Sequence, residues 1–352
     1  MEYQQVDHNT YNKKLYDAMF GLAIGDALGV PYEFKRRGTF VCQDMTGYGT
    51  HHQPEGTWSD DTSMALATLK SLKDRNGKVD LKDIRKNFLA WLNDSAFTAN
   101  GELFDIGNAT YRALRTGRSS NGVRDNGNGS LMRILPLAFV DCTDDEIRAV
   151  SSITHGHWIS TEACVIYVHI ARRLMAGEHI LDIIPTLKYD KPFDRLYRIH
   201  ELDRSEIRSS GYVVDTLEAA LWCVSHAARK EDLAPDQMKA NGADASDQVT
   251  AYAGATLDQA ADHDSATSNH VTAYEPDTSQ QVKSHESNVP NQVRNFRTDV
   301  LEAVNLGDDT DTVGAVTGGL AGIIYGLGNS EEQWMKKLRN KDLIQDCLFD
   351  EQ

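Results

Sequence analysis

Thr161-Glu162-Ala163-Cys164-Val165-Ile166-Tyr167-Val168-His169-Ile170-Ala171-Arg172-Arg173-Leu174-Met175 is the stretch on which the fold class turns. Val165, Val168, Ile170 and Leu174 recur at helical spacing, and no alternation of period two can be laid over them. Outward from it, residues 81–92 place apolar side chains at 81, 84, 88, 89, 91 and 92, and 213–224 repeat the pattern. Sustained strand-like alternation is absent, so the expectation is an all-α bundle with functional loops between its helices. The chain has 352 residues, 40% hydrophobic, and 26 Gly, enough apolar material for a real core. A net charge of −16 argues against a general binder of nucleic acid or anionic membrane, because both need surplus cation. Five cysteines, odd in number and widely spaced, point to neither a disulfide framework nor a zinc ribbon. With no signal-peptide core and no long apolar span, a soluble cytoplasmic protein is expected.

Charge and complexity shift at one place. Residues 230–293 hold three Lys, no Arg and eleven Asp or Glu, about half the chain's excess charge, in an Ala-, Ser-, Thr- and Asn-rich background. Too little apolar surface is present there to offset the entropy of ordering it, so 230–293 is expected to be an acidic, disordered insertion, with a protein-docking arm as its alternative role. Within it Gln248-Val249-Thr250-Ala251-Tyr252 and His270-Val271-Thr272-Ala273-Tyr274 suggest a local duplication.

Two carboxylate clusters, Ser59-Asp60-Asp61-Thr62 and Asp308-Asp309-Thr310-Asp311-Thr312, each precede an apolar helical run. Capping alone would account for either, since Ser, Thr and Asp favour helix N-termini. Together they oversupply it, and carboxylates that close repel unless a cation lies among them. Oxygen ligands suit Mg²⁺ or Mn²⁺ rather than Zn²⁺. An EF-hand is excluded, because counting from Asp309 puts Val313 and Leu320 where oxygens are required. Gly314, Gly318, Gly322 and Gly326, at steps of four, predict a helix face bare enough for a neighbouring helix to approach closely. The segment Asn126-Gly127-Asn128-Gly129-Ser130-Leu131-Met132-Arg133 puts flexible backbone before an expected apolar helix, a place where N–H groups can cradle phosphate, although the Gly-Lys-Ser/Thr ending of a P-loop is missing. His155 and His157 lack a third ligand at zinc spacing, so His155 is expected to line a pocket or cap a helix.

Taken in order, Gly25-Asp26-Ala27-Leu28-Gly29-Val30-Pro31-Tyr32-Glu33, Trp58-Ser59-Asp60-Asp61-Thr62, Phe104-Asp105-Ile106-Gly107-Asn108, Asn128-Gly129-Ser130-Leu131-Met132-Arg133, Thr154-His155 and Gly307-Asp308-Asp309-Thr310-Asp311-Thr312 resemble the ADP-ribosylglycohydrolase family. The resemblance implies a short tail over 1–13 and one domain made of 14–229 and 294–352, interrupted by the insertion. It implies a compact all-α bundle with a binuclear Mg²⁺ or Mn²⁺ centre at the floor of an ADP-ribose cleft. Carried over residue by residue, the metal ligands are Ser59, Asp60, Asp61, Asp309, Asp311 and Thr312. Asp308, standing where many relatives have Gly, is left out. Glu33 matches the acidic residue beside the metals, and Glu33, Asp60, Asp61 and Asp309 form the expected catalytic set. Asp105 matches a polar residue of the cleft, Gly127, Asn128, Gly129, Ser130, Leu131 and Met132 the diphosphate-binding backbone, and His155 the nucleotide-side wall.

The implied reaction is hydrolysis of the bond at ribose C1″, in which positive charge develops on the sugar while the leaving group is protonated. The metals would grip the ribose 2″ and 3″ hydroxyls and activate a water, with Glu33 shuttling the proton. The expected substrate is an ADP-ribosylated protein, arginine-linked by resemblance to the dinitrogenase-reductase-reactivating branch, with free ADP-ribose as product. Serine-linked, polymeric and O-acetyl ADP-ribose are alternatives within the enzymes. An ADP-ribose reader, or an immunity protein that neutralises a toxin by contact, is the alternative outside them.

Overall fold

The computed structural model describes residues 8–232, 295–328 and 331–350. Twelve α-helices lie in them: α1 His8–Gly29, α2 Asp60–Asp74, α3 Leu81–Asp94, α4 Asn108–Thr116, α5 Asp144–Ser151, α6 Trp158–Met175, α7 Ile180–Ile183, α8 Val213–Asp232, α9 Phe296–Val304, α10 Thr310–Tyr325, α11 Glu332–Lys337 and α12 Lys341–Cys347. Among the described residues there is no strand, and only two isolated bridges occur, Ser120 with His155 and Gly127 with Tyr212. The three helices expected from apolar spacing are α3, α6 and α8. The expected insertion lies outside the described residues, apart from 230–232, which continue α8. Residues 8–13 of the expected tail are helical. There Lys13 pairs with Asp17 at 2.6 Å along the helix, and the Tyr11 hydroxyl donates to the Phe139 carbonyl.

The core is organised around α10. Every residue from Thr310 to Ile323 is buried, as expected of a helix that is apolar all round. It packs on α1, α8 and α9. Against α1 the approach is backbone to backbone: a Cβ added at Gly314 would sit 2.5 Å from the Gly25 carbonyl oxygen, and one at Gly318 or Gly322 would collide with the carbonyls of Gly21 and Asp17. Gly21 and Gly25 complete the seam from the α1 side. Gly326 does not belong to this stripe. With φ +69 it is the residue that ends α10, where the left-handed region favours glycine.

The apolar run after Asn126 is not an α-helix. It forms two short 3₁₀ turns, Leu131–Arg133 and Leu135–Phe139, and Pro136 near the start of the second cannot supply a ladder N–H. All five cysteines are buried and none is in a disulfide. No helix among the described residues is long and apolar enough to cross a membrane.

Candidate active site

Two helix entrances, far apart in sequence, meet at the floor of a cleft. Ser59 caps α2, its Oγ accepting from the Asp61 amide at 3.3 Å. Asp26, reaching across from α1, accepts from the Ser59 amide, the Thr62 amide and the Thr62 hydroxyl at 2.6–3.1 Å. Capping of α2 is thus supplied by Ser59 and Asp26, which leaves the carboxylates of Asp60 and Asp61 free for another role. At the second entrance Asp309 occupies the N-cap of α10 yet makes no capping hydrogen bond. Instead its Oδ2 accepts from the Asn128 amide group at 2.9 Å. The clusters touch where the Thr312 hydroxyl donates to Asp61 Oδ2 at 3.4 Å.

The cleft encloses about 550 Å³, and its lining includes Glu33, Asp60, Asp105, Asp309 and Thr312 together with Gly127, Asn128, Gly129, Met132 and His155. Two sets of side chains place their ligand atoms within 4.8 Å of one another: Glu33, His51, Asp105 and Asp311, and Asp26, Asp61 and Asp311. Asp311 is common to both. Burial first, and the neighbouring negative charges second, raise Asp60, Asp61 and Asp311 well above the usual carboxylate range. Burial raises Asp309 as well, and takes Asp26 and Glu33 to about 7. Among the described residues no Lys or Arg pairs with Asp60, Asp61, Asp309 or Asp311. Asp61 Oδ1, Asp309 Oδ1 and Asp311 Oδ2 are buried with no hydrogen-bond partner. Orphaned carboxylate oxygens converging in one place are costly unless a cation satisfies them, so the donor set fits hard divalent ions. Asp308, φ +60, is exposed, and its carbonyl accepts from the Phe34 amide at 2.7 Å, in keeping with its omission from the ligands.

Opposite the carboxylates, the fully buried Arg133 braces the glycine segment. It donates to the Gly129 carbonyl at 3.1 Å and the Thr154 hydroxyl at 2.8 Å, and lies 4.5 Å from the centre of the Phe88 ring. Burial lowers it to about 10, which still leaves it charged at neutral pH. His155 is held through Nδ1 by Thr154 at 2.8 Å, and burial, then Arg133, drives it down to about 3, so it is a neutral wall residue. Ser130 and Leu131 differ from the other expected binding residues in facing away from the cleft. The 3₁₀ turn drives both into the core, where Ser130 Oγ accepts from the Ser151 hydroxyl at 2.9 Å. The amides of Asn128 and Met132 are already donated within the protein, to the carbonyls of Gly211 and Asn128. Two residues of the floor were missed in the sequence, Asp26 and His51. Asp26 lies inside the quoted Gly25–Glu33 motif, where it is the one carboxylate besides Glu33, and that was the available signal. His51 lies in a loop with no periodicity to mark it.

An all-helical protein with an acidic, cation-fitting floor beneath a glycine-rich wall is the class this geometry defines. The ADP-ribosylglycohydrolase family profile matches residues 7–351, and the chain belongs to that family and is a glycohydrolase. It is 30% identical to ADP-ribosylarginine hydrolase Tri1 of Pseudomonas putida (strain GB-1), over 95% of this chain and 77% of that protein. It is 26% identical to the ADP-ribosyl-[dinitrogen reductase] glycohydrolase of Rhodospirillum rubrum, over 90% and 88%. A solved structure described as an ADP-ribosylglycohydrolase-related protein complex superposes with a TM-score of 0.63 at 27% identity, covering 97% of each chain.

Proposed function

We propose that the protein removes ADP-ribose from arginine side chains of modified proteins, as a hydrolase dependent on two divalent ions, Mg²⁺ or Mn²⁺. The observation that carries this is the set of orphaned oxygens on Asp61, Asp309 and Asp311, with Asp311 within ligand reach of both Asp61 and Glu33, at the floor of the cleft that Glu33, Asp60 and Asp309 line. Ser59, Asp60, Asp61, Asp309, Asp311 and Thr312 would hold the ions. When bound, the ions supply Lewis acidity toward the sugar diol and offset the carboxylates' mutual repulsion.

The chain's own groups do the rest. Glu33 reaches the cleft from the end of the short turn after α1, where its carboxyl can take a proton from the attacking water and return one to the departing nitrogen. Gly127, Gly129 and Met132, backed by Arg133 and His155, form the wall against which the nucleotide end is positioned. Arginine linkage is favoured because a guanidinium leaving group carries positive charge, which Glu33 and Asp105 at the cleft's edge accommodate. The names of two relatives, ADP-ribosylarginine hydrolase and ADP-ribosyl-[dinitrogen reductase] glycohydrolase, support the same class of substrate.

The deciding experiment offers a panel of arginine-linked, serine-linked and O-acetyl ADP-ribose and measures free ADP-ribose, with Asp60→Ala as the inactive control. Turnover of the arginine linkage only when Mg²⁺ or Mn²⁺ is present is the expected result. Full turnover after chelation, or exclusive turnover of another linkage, would overturn the reading.

A further inference from the structure

We infer that His51 is the positioning residue of the reaction: it holds the Glu33 carboxylate in its working orientation and leaves the other oxygen of that group to the substrate. The inference rests on the proton-handling role given to Glu33 above. His51 Nε2 is hydrogen-bonded to Glu33 Oε2, which requires the proton to sit on Nε2 when Glu33 is ionised. Glu33 Oε1 has no protein donor among the described residues, so one oxygen is anchored and one is free.

The ring is itself confined. Its centroid lies 5.3 Å from that of Phe104 and 6.1 Å from that of Phe34. The loop that carries it is fastened by the Thr50 amide to the Pro31 carbonyl at 3.1 Å, by the Thr50 hydroxyl to the Glu33 carbonyl at 2.7 Å, and by the Tyr48 amide to the Gln53 carbonyl at 2.7 Å. Thr50 therefore ties the histidine's loop to the backbone of the very residue that the histidine orients. Phe34, next to Glu33, holds φ +64 and donates its amide to the Asp308 carbonyl, so the Glu33 backbone is also tied to the entrance of α10. A glutamate reaching into a cleft from a turn has three side-chain torsions, and fixing them before substrate arrives is what a catalytic group needs.

The test compares His51→Leu, His51→Gln, Glu33→Gln and the double variant Glu33→Gln/His51→Leu as full-length, metal-loaded proteins. His51→Leu should lower kcat by about 10–100-fold, part of the 10²–10⁴-fold that a positioned acid–base group contributes. KM, ADP-ribose affinity by calorimetry and metal stoichiometry should each stay within twofold. His51→Gln, whose side-chain amide can donate in place of Nε2–H, should recover most of the loss. In the Glu33→Gln background His51→Leu should cost nothing further, since its effect passes through the group already removed.

Wild-type kcat in His51→Leu would overturn the inference, as would losses that multiply in the double variant. Loss of a metal equivalent would overturn it in favour of a ligand role, and equal loss of ADP-ribose affinity in favour of a binding role. Failure of His51→Gln to recover activity while melting at the wild-type temperature would also count against it. Retained turnover in Glu33→Gln would overturn the underlying role of Glu33, and this inference with it, whereas normal turnover in His51→Leu alone leaves that role standing.

Discussion

Replacing Gly314 by Ala tests whether the α1–α10 seam sets the geometry of the metal floor. The added methyl would stand 2.5 Å from the Gly25 carbonyl oxygen and 3.0 Å from its carbon, where ordinary contact begins at 3.4 Å. The obstacle is backbone, so the helices must separate by roughly 1 Å instead of a side chain turning aside. Overpacking of this kind costs up to about 3 kcal/mol, and the better helix propensity of Ala returns about 1 kcal/mol, leaving a net loss of about 2 kcal/mol. For domains of about 150–250 residues each kcal/mol is worth 2–4 °C, so a fall of about 4–8 °C is the upper expectation for this longer chain. The functional effect is larger. Asp311 lies one turn before Gly314, and a 1 Å shift relative to Asp26 and Asp61 opens a ligand set whose atoms now fall within 4.8 Å. Displacement on that scale lowers turnover by about 10²-fold. Melting by circular dichroism and metal titration by calorimetry read the two effects. Gly328→Ala is the control, because its methyl would meet only Glu331 Oε2 at 3.5 Å. A Gly314→Ala protein that melts at or above the wild-type temperature and binds metal normally would refute the seam argument.

The metal-stripped protein should lose stability as pH rises. The carboxyls of Asp26 and Glu33, at about 7 when folded against 3.8 and 4.5 when unfolded, keep their protons longer in the native state, so stability is greatest below about pH 4 and falls toward pH 7; a melting temperature that climbs from pH 5 to 7 after chelation would contradict this. Arg133→Met should cost about 1–3 kcal/mol by stranding the Gly129 carbonyl and the Thr154 hydroxyl, and should weaken ADP-ribose binding with metal content intact; unchanged affinity would remove the bracing role. Asp105→Asn should reduce kcat/KM for arginine-linked substrate by about 10-fold, the size of a 1.4 kcal/mol change, and for serine-linked substrate by less. Equal losses on both linkages would detach Asp105 from the leaving-group side.

The helical architecture was legible where apolar side chains recur at helical spacing, as in α3, α6 and α8, whereas α10 is buried all round. Val165, Val168, Ile170 and Leu174 had to recur at helical spacing for α6 to reach the core. The acidic floor was legible for a different reason: Asp60-Asp61 and Asp309-Thr310-Asp311 contain more carboxylates than capping can use. The glycine segment was harder. Its apolar residues read as a helix, but Pro136 and the buried Arg133 direct the chain into 3₁₀ turns, so Ser130 and Leu131 face the core while their neighbours face the cleft. His51 was illegible, since its meaning comes from Thr50 meeting the Pro31 and Glu33 carbonyls, a contact no local pattern records. Gly21 and Gly25 form half of a close seam, yet only the α10 half drew notice.

The seam also bears on why the floor can hold so much negative charge. The N-termini of α2 and α10 both point into the cleft, and the partial positive charge there favours anions. That effect is worth no more than about 1–2 kcal/mol per end, while burial and the neighbouring carboxylates push Asp60, Asp61 and Asp311 well above the usual carboxylate range. The two divalent ions proposed above would bring four positive charges to the seven carboxyls of Asp26, Glu33, Asp60, Asp61, Asp105, Asp309 and Asp311. Of these seven, Glu33 and Asp105 are the two that line the cleft and lie outside the proposed ligand set. Under the proposed function, a cationic leaving group would suit that residual charge better than a neutral hydroxyl does, and the carboxylate excess of the floor would then favour the arginine linkage.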